Sequence, residues 1–374
     1  MKRRSFLSNT AIATVGITSL SLTGCNTNEK EKTTQTNDPA HFELDEETIT
    51  SLQEKMVSGK YSSEALVRLY LKRIEDIDRN GPKLNSVIEL NPDALSIAKA
   101  MDDERKNGKI RGQLHGIPIL IKDNINTADK MQTTAGALAL EGNIAPKDAF
   151  IVERLRSAGA VIIGKTNLSE WANFRSTKSS SGWSSRGGQT RNPYSLDKNP
   201  CGSSSGSGAA VAANLCTVAV GTETDGSVVC PASVNGIVGL KPTVGLVSRS
   251  GIIPISKTQD TAGPMARTVK DVAILLSALA GVDSNDSVSG ESVGKFHADY
   301  TQFLDMSGLK GKRIGVEKSP TFSNGAMDSL SKDAIDLLKS QGATIVEIEY
   351  LKDIGSAASS ELEVLLYEFK AGVN

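Results

Sequence analysis

The sequence predicts an α/β protein in which a β-sheet is covered by helices on both faces. Short apolar runs alternate with longer amphipathic segments along most of the 374 residues, and this alternation is typical of α/β folds. The runs are apolar throughout, which indicates strands that are buried on both faces. Polar residues follow directly after two of the runs, at the strand ends where functional groups collect in such sheets.

Helical periodicity and apolar runs assign the elements along the chain. Helices are predicted over residues 45–56, 63–77, 92–106, 150–158, 209–216, 326–339 and 361–374. Strands are predicted over residues 117–121, 160–164, 218–220, 313–316 and 344–348. Ser62 or Ser63 is the expected N-cap of the second helix, and Asn91 that of the third. No internal repeat and no linker divides residues 41–374, so we expect one domain there.

Composition excludes several classes of partner. The chain has 42 basic and 43 acidic residues, and this balance gives no reason to expect a nucleic acid partner. Aromatic residues make up 4% of the chain, which disfavours platforms that stack bases or sugars. We therefore expect a small-molecule or peptide ligand rather than nucleic acid.

Residues 1–25 are interpreted as a targeting segment and not as part of the fold. Arg3 and Arg4 begin a stretch that resembles a twin-arginine export signal. The sequence Leu-Thr-Gly-Cys that ends at Cys25 resembles a lipobox, which predicts cleavage there and a lipid on Cys25. Residues 26–38 contain no apolar side chain, so 26–40 is expected to be a disordered tether. The prediction is an exported lipoprotein, anchored at the extracytoplasmic face of a bacterial membrane.

Cysteines and histidines limit the chemistry that the chain can perform. No C-x-x-C pair occurs, and no histidine stands at metal-ligand spacing from the cysteines at 25, 201, 216 and 230. The sequence therefore predicts neither a zinc site nor a cofactor. Only three histidines are present, and this matters because most serine and cysteine hydrolases use a histidine base.

Two Ser- and Gly-rich segments, residues 179–208 and 221–227, concentrate the candidate chemistry. A flexible linker is the simplest interpretation of such a composition, but Trp183, Arg186 and Tyr194 are interleaved in the first segment. Glycine-rich turns also present N–H groups to anions. A phosphate site is disfavoured, however, because the pattern G-x-x-x-x-G-K-[ST] is absent.

Three types of nucleophile stay open on the residues alone. Residues 202–206 match the nucleophile elbow G-x-S-x-G, which would make Ser204 reactive, but only His297 follows it as a base. A cysteine is a second candidate, although free cysteines more often fill cores: Cys201, Cys216 or Cys230. The third is a serine with a lysine base, since Lys122 follows an apolar strand, where burial lowers the pKa of an amine.

Several stretches, in this order, resemble the amidase-signature family. They are GIPILIKD at 116–123, CGSSSGS at 201–207, GTETDGS at 221–227, CPA at 230–232, GLKPT at 239–243 and DTAGPMART at 260–268. The separation of 24 residues between Ser203 and Ser227 matches the family's spacing. The likeness runs from about residue 45 to the end of the chain, and it implies a central mixed β-sheet covered by helices.

The resemblance also implies a Ser–Ser–Lys relay without a cofactor. Ser227 would attack an amide carbonyl carbon, and Ser203, held by a cis peptide bond after Gly202, would link it to neutral Lys122. The relay would later return the proton to the leaving amine. The resemblance further implies an oxyanion hole formed by the main-chain N–H groups of Thr224, Asp225, Gly226 and Ser227.

Departures from the family pattern narrow the expected activity. Asp225 and Val229 replace a usual glycine and arginine, and Cys201 and Ser205 replace two further glycines. The loss of that arginine disfavours relatives that bind a substrate carboxylate or serve as transamidosome subunits. Residues 182–193 and 221–250 look most like the peptide amidases of the family. The implied enzyme hydrolyses C–N bonds other than peptide bonds and releases ammonia from a peptide C-terminal amide.

The chain also resembles only part of the longer family domain. We expect a fold that is incomplete at its C-terminus, with strand edges and apolar surface exposed. Such a chain would be a fragment or split product, poorly active alone. The alternatives are an inactive, truncated amidase-like lipoprotein that at most binds peptide, and an amidase acting on another small amide. The sequence does not indicate an oligomeric state.

Overall fold

The computed structural model describes residues 42–318, 325–351 and 357–374. The predicted targeting segment, the tether and Cys25 lie outside these residues. The helices are α1 Ile49–Val57, α2 Ser63–Arg73, α3 Ala94–Lys106, α4 Phe150–Ser157, α5 Ser205–Ala212, α6 Val229–Val234, α7 Val269–Leu279, α8 Gly325–Ser340 and α9 Ala358–Val373. The strands are β1 Val87–Leu90, β2 Pro118–Lys122, β3 Val161–Thr166, β4 Trp183–Ser184, β5 Gly188–Gln189, β6 Val218–Glu223, β7 Val238–Gly239, β8 Thr261–Ala266, β9 Arg313–Glu317 and β10 Thr344–Ile348.

A six-stranded mixed sheet forms the centre of the fold, in the order β1-β3-β2-β6-β8-β7. Strands β3, β2 and β6 are parallel, whereas β1, β8 and β7 pair antiparallel to their neighbours. The predicted α/β class and mixed sheet are confirmed. Parallel pairing brings the carboxyl ends of β3, β2 and β6 to one edge, so the residues that end these strands lie close together.

The inner strands are apolar because both of their faces are covered. Every residue of β2, β3, β6 and β8 is buried, which explains why these strands lack an alternating pattern. Helices α2 and α3 pack on β2 and β3, while α5 and α7 pack on strands in the middle of the sheet. The predicted strands β2, β3 and β6 are confirmed, but β1 and β8 were not predicted from the sequence.

Of the two N-caps predicted from the sequence, one is confirmed and the other is wrong. Ser62 caps α2, since its side chain accepts the main-chain N–H of Ala65 at 3.1 Å, as predicted. The predicted cap Asn91 is wrong, because α3 begins after Asp93. The Asn91 side chain instead donates to the carbonyl oxygen of Ile162 at 2.8 Å and accepts the N–H of Asp93 at 2.9 Å.

A separate two-stranded parallel sheet, β9 and β10, joins α8 near the end of the described chain. All three elements were predicted, but their residues are half-exposed or exposed. Large apolar side chains of α8 and α9 face solvent, among them Leu330, Leu337, Leu362, Leu366 and Tyr367. Within the described ranges, no helix is long and apolar enough to cross a membrane.

Candidate active site

Lys122 ends β2 and lies in a site without solvent access. Its side chain is 0% exposed, because β2 lies between β3 and β6 in the sheet. Desolvation lowers the pKa of its ammonium group to about 7, against the opposing charges of Asp260 and Glu223. A water-excluded amine with such a pKa is neutral in a large fraction of molecules near neutral pH.

The amine of Lys122 contacts one serine and one threonine. Its Nζ lies 2.8 Å from Ser203 Oγ, 2.8 Å from Thr222 Oγ1 and 3.2 Å from the carbonyl oxygen of Thr222. Asn124 also donates to Thr222 Oγ1, at 3.0 Å. Among the described residues, the Lys122 amine is therefore hydrogen-bonded to hydroxyl and carbonyl oxygens and to no carboxylate.

Ser203 is held by its own main chain and by the segment after β3. The peptide bond between Gly202 and Ser203 is cis, as the sequence resemblance implied. The carbonyl oxygen of Ser203 accepts the N–H of Ser169 at 3.1 Å. A side chain at Gly202 would collide with the hydroxyl of Ser169, so only glycine permits this approach of the two segments.

Ser227 lies in the turn between β6 and α6 and is 6% exposed. Its carbonyl oxygen accepts the N–H of Ser204 at 3.1 Å, which places the two serine-bearing segments side by side. The Ser204 hydroxyl donates to the carbonyl oxygen of Thr222 at 3.0 Å and accepts the N–H of Thr222 at 3.1 Å. Main-chain contacts thus join the proposed nucleophile segment to the segment that carries Ser203.

Glu223 ends β6 and holds the nucleophile turn from within. Its carboxylate accepts N–H groups from Gly226 at 3.1 Å, Val228 at 2.7 Å and Val229 at 2.9 Å. The residue is 4% exposed. Charged acceptors make strong hydrogen bonds to main-chain N–H groups, so this one side chain fixes the path of the turn on both sides of Ser227.

The predicted oxyanion donors divide into two groups. The N–H of Gly226 already donates to Glu223, so this part of the prediction does not fit the structure. Among the described residues, none accepts a hydrogen bond from the N–H groups of Thr224, Asp225 or Ser227. These three groups are the ones available to an oxyanion.

A cavity of about 210 Å³ opens beside the site. Asp260 lies in its wall, accepts the hydroxyl of Thr224, and accepts the N–H groups of Ile255 at 2.8 Å and Ser256 at 2.9 Å. Burial raises the pKa of the Asp260 carboxyl, and these hydrogen bonds oppose the rise. Other lining residues are Asn124, Thr222, Arg249 and Ile253.

The alternative nucleophiles do not fit this geometry. Ser204 is fully buried, and its hydroxyl is hydrogen-bonded to the main chain of Thr222. His297 is exposed and packs against Tyr300 and Phe303. Cys216 is 0% exposed, and burial raises the pKa of its thiol to about 12. The other two cysteine candidates are joined by a disulfide bond between Cys201 and Cys230.

Sequence reasoning missed residues whose roles depend on distant neighbours. Thr222, Glu223, Asn124 and Asp260 received no role, although the first two lie inside a Gly-rich turn that the sequence singled out. An acidic residue in such a turn is the only signal that could have identified Glu223. Across the part of the chain that the structure describes, no group of three or more His, Cys, Asp or Glu residues could hold a metal ion.

Comparison with known proteins identifies the family. The Amidase family profile matches residues 65–373. The chain belongs to the amidase family. The solved peptide amidase from Stenotrophomonas maltophilia is 56% identical to this chain, with a TM-score of 0.86, covering 89% of this chain and 68% of that one.

Curated relatives carry the same family name. A putative amidase of Schizosaccharomyces pombe is 47% identical over 81% of this chain and 52% of its own length. A probable amidase of Arabidopsis thaliana is 46% identical over 89% of this chain and 64% of its own length. The chain therefore spans between about half and two thirds of the length of these curated relatives.

Proposed function

We propose that this chain hydrolyses the C–N bond of a carboxamide through Ser227, Ser203 and Lys122. The proposal depends above all on one observation, the 2.8 Å separation of Lys122 Nζ and Ser203 Oγ between two side chains that are both 0% exposed. A neutral amine has two N–H groups and one lone pair. When the N–H groups point to the carbonyl oxygen and Oγ1 of Thr222, the lone pair faces the hydroxyl of Ser203.

In the proposed first step, the Ser227 oxygen attacks the carbonyl carbon of the amide. Its proton passes to Ser203 while Ser203 passes its own proton to Lys122, so the amine becomes an ammonium group. The N–H groups of Thr224, Asp225 and Ser227 stabilise the oxyanion. Each such donor is typically worth about 3 kcal/mol in the transition state.

The second step returns the proton. Lys122 donates to Ser203 and Ser203 to the leaving nitrogen, so the C–N bond breaks and ammonia leaves an acyl group on Ser227. Water then attacks the acyl group and gives its proton to Lys122 through Ser203. Release of the carboxylic acid restores the Ser227 hydroxyl and neutral Lys122.

The proposed substrate is a peptide with a C-terminal amide, and not an internal peptide bond. Support comes from the 56% identity to the peptide amidase of Stenotrophomonas maltophilia. The cavity of about 210 Å³ beside Thr222 and Thr224 is smaller than typical small-molecule sites of about 300–1,000 Å³, so it would hold only the amide end of such a peptide.

We also propose that the enzyme works outside the cytoplasm, anchored by a lipid on Cys25. The export and lipobox patterns in residues 1–25 support this location. The disulfide bond between Cys201 and Cys230 adds independent support, since disulfides persist mainly in oxidising compartments. Radiolabelled fatty acid should be incorporated into the intact chain but not into a Cys25→Ala variant.

Ammonia release from an N-acetylated dipeptide amide tests the proposed reaction. The purified chain should release one ammonia for each free acid formed, and Ser227→Ala should abolish the release. A chain that binds the amide without releasing ammonia would support the peptide-binding alternative. Ammonia release from a simple aliphatic amide but not from the dipeptide amide would indicate that the substrate is another small amide.

A further inference from the structure

The disulfide bond between Cys201 and Cys230 lies between the two segments that carry the proposed catalytic serines. Cys201 precedes Ser203 by two residues, and Cys230 follows Ser227 by three. The Cα atoms of the two cysteines are 6.0 Å apart. One covalent bond therefore closes the chain around the site, between segments that are distant in sequence.

Each cysteine of the bridge is also hydrogen-bonded to a residue within two positions of a proposed catalytic serine. The N–H of Cys230 donates to the carbonyl oxygen of Gly226 at 2.8 Å, the residue before Ser227. The carbonyl oxygen of Cys201 accepts the hydroxyl of Ser205 at 2.7 Å, at the start of α5. A shift of either sulfur would move a main chain that directly carries a catalytic serine.

Hydrogen bonds also join the two segments near the proposed nucleophile, including those between the Ser204 hydroxyl and the main chain of Thr222 at 3.0 and 3.1 Å. The N–H of Ser204 donates to the carbonyl oxygen of Ser227 at 3.1 Å, and Asn235 donates to the carbonyl oxygen of Pro200 at 2.9 Å. Glu223 stabilises the Ser227 turn from β6 but does not reach the Ser203 segment. The disulfide bond supplies the covalent link between these segments.

The bridge is accessible, whereas the remaining described cysteine is not. Cys201 and Cys230 are both half-buried, so the bridge lies near the surface and not in the core. Cys216 is 0% exposed within the core, and its thiol, with a pKa raised by burial to about 12, is unreactive. Cys216 is already a thiol, and its burial keeps it from thiol–disulfide exchange, so among the described cysteines reduction changes only the bridge.

We propose that the Cys201–Cys230 disulfide positions Ser203 and Ser227 for proton transfer, and that its reduction switches the enzyme to a slow state. This proposal rests on the relay set out above. In the reduction, two electrons and two protons pass from a dithiol, which closes to a cyclic disulfide, and the bridge becomes two thiols. Apart from Ser203, the groups around Lys122 stay in place, because Lys122 ends β2 and is hydrogen-bonded to Thr222.

Dithiothreitol treatment of the full chain, followed by kinetics, tests the switch. Reduction should lower kcat by at least about tenfold, as a small displacement of reacting groups does, and leave KM nearly unchanged. The pH midpoint of the rate should stay the same, and reoxidation should restore kcat. Labelling of Ser227 by phenylmethylsulfonyl fluoride should slow in parallel, which reports on the serine without any amide substrate.

Variants separate positioning from folding. Cys201→Ser with Cys230→Ser should be slow with or without the reductant, whereas Cys216→Ala should respond as the wild type does. Thiol titration and circular dichroism show that the bridge is open and the fold intact. If kcat and labelling of the open form stay within about twofold of the oxidised form, the positioning role is wrong. Failure of the oxidised enzyme to release ammonia would instead contradict the proposed reaction.

Discussion

Two buried lysines on neighbouring parallel strands show what separates a proposed base from a structural amine. Lys122 on β2 and Lys165 on β3 are both 0% exposed, and desolvation lowers the pKa of both, to about 7 and about 8. Lys165 donates to the carbonyl oxygen of Ile125 at 2.6 Å and to Thr133 Oγ1 at 3.2 Å. The negative charge of Asp123 opposes the fall in its pKa.

The difference lies in what each amine can reach. Lys122 contacts the hydroxyl of Ser203, whose neighbour Ser204 is hydrogen-bonded to the main chain of Ser227. Lys165 contacts a carbonyl oxygen and the buried Thr133 hydroxyl. Burial therefore does not distinguish the proposed base from the other lysine, and the difference is that the hydroxyl beside Lys122 belongs to a segment that contacts Ser227.

Replacing each lysine by methionine is expected to give the largest difference in kcat between two variants. Lys122→Met should lower kcat by about a thousandfold or more, since it removes the acceptor of the serine proton. Lys165→Met should keep kcat within about tenfold but lower the free energy of unfolding by about 1–3 kcal/mol, because Asp123 loses a compensating charge. Ammonia release and urea unfolding measure the two quantities.

The opposite pattern would contradict the comparison. A folded Lys165→Met enzyme that lost activity as fully as Lys122→Met would show that the buried charge near Asp123 takes part in the reaction. A Lys122→Met enzyme with the wild-type rate would remove lysine from the relay.

Alanine variants of the adjacent serines 203 and 204 should differ in kcat by a smaller factor than the two lysine variants. Ser203→Ala breaks the hydroxyl link to Lys122 and should lower kcat by about a hundredfold or more. Ser204→Ala removes hydrogen bonds to the main chain of Thr222 and should mainly cost about 1–3 kcal/mol of stability. Parallel kinetics and unfolding of both variants decide this, and equal losses of kcat would count against a specific bridging role for Ser203.

Glu223→Gln should have a moderate effect on kcat. The amide keeps one oxygen acceptor but places an N–H₂ group where a carboxylate oxygen now accepts main-chain N–H groups. We expect kcat to fall about tenfold, equivalent to about 1.4 kcal/mol, with little change in KM. Asp225→Asn, an exposed neighbour, is the matched control, and a loss as large there would contradict a role specific to Glu223.

A further prediction, which is measured without substrate, concerns the pH dependence of stability. Between pH about 7 and 10.5, folded Lys122 binds fewer protons than the unfolded side chain, so its contribution to stability rises with pH across this window. Below about pH 7 the contribution is constant. Lys122→Met should therefore gain stability relative to the wild type as pH falls from 10.5 to 7. A pH-independent difference in urea unfolding would mean that Lys122 keeps its ordinary pKa.

Much of the central sheet could be predicted because its strands are short, mainly apolar runs that the sequence shows directly. Strands β2, β3 and β6 are buried on both faces, so their composition alone identifies them. Strand β8 includes Gly263 and Pro264, residues that are depleted in strands. It forms because Gly221 and Val220 of β6 pair with those residues.

The candidate site was predictable only in part. The motifs placed Lys122, Ser203 and Ser227 in one site, but no local pattern shows that Glu223 turns its carboxylate toward Gly226. The disulfide bond was missed because Cys201 and Cys230 are 29 residues apart, and pairing depends on the fold that brings them together.

The pH dependence of kcat/KM for amide hydrolysis is the most direct test of Lys122 as the base, because it reports the pKa values of essential groups in the free enzyme. If neutral Lys122 is the base, kcat/KM should rise with pH through a midpoint near 7, the lowered pKa of Lys122. The Lys165→Met variant should keep the same midpoint. A midpoint near the ordinary lysine value of 10.5 would contradict a buried neutral lysine as the base.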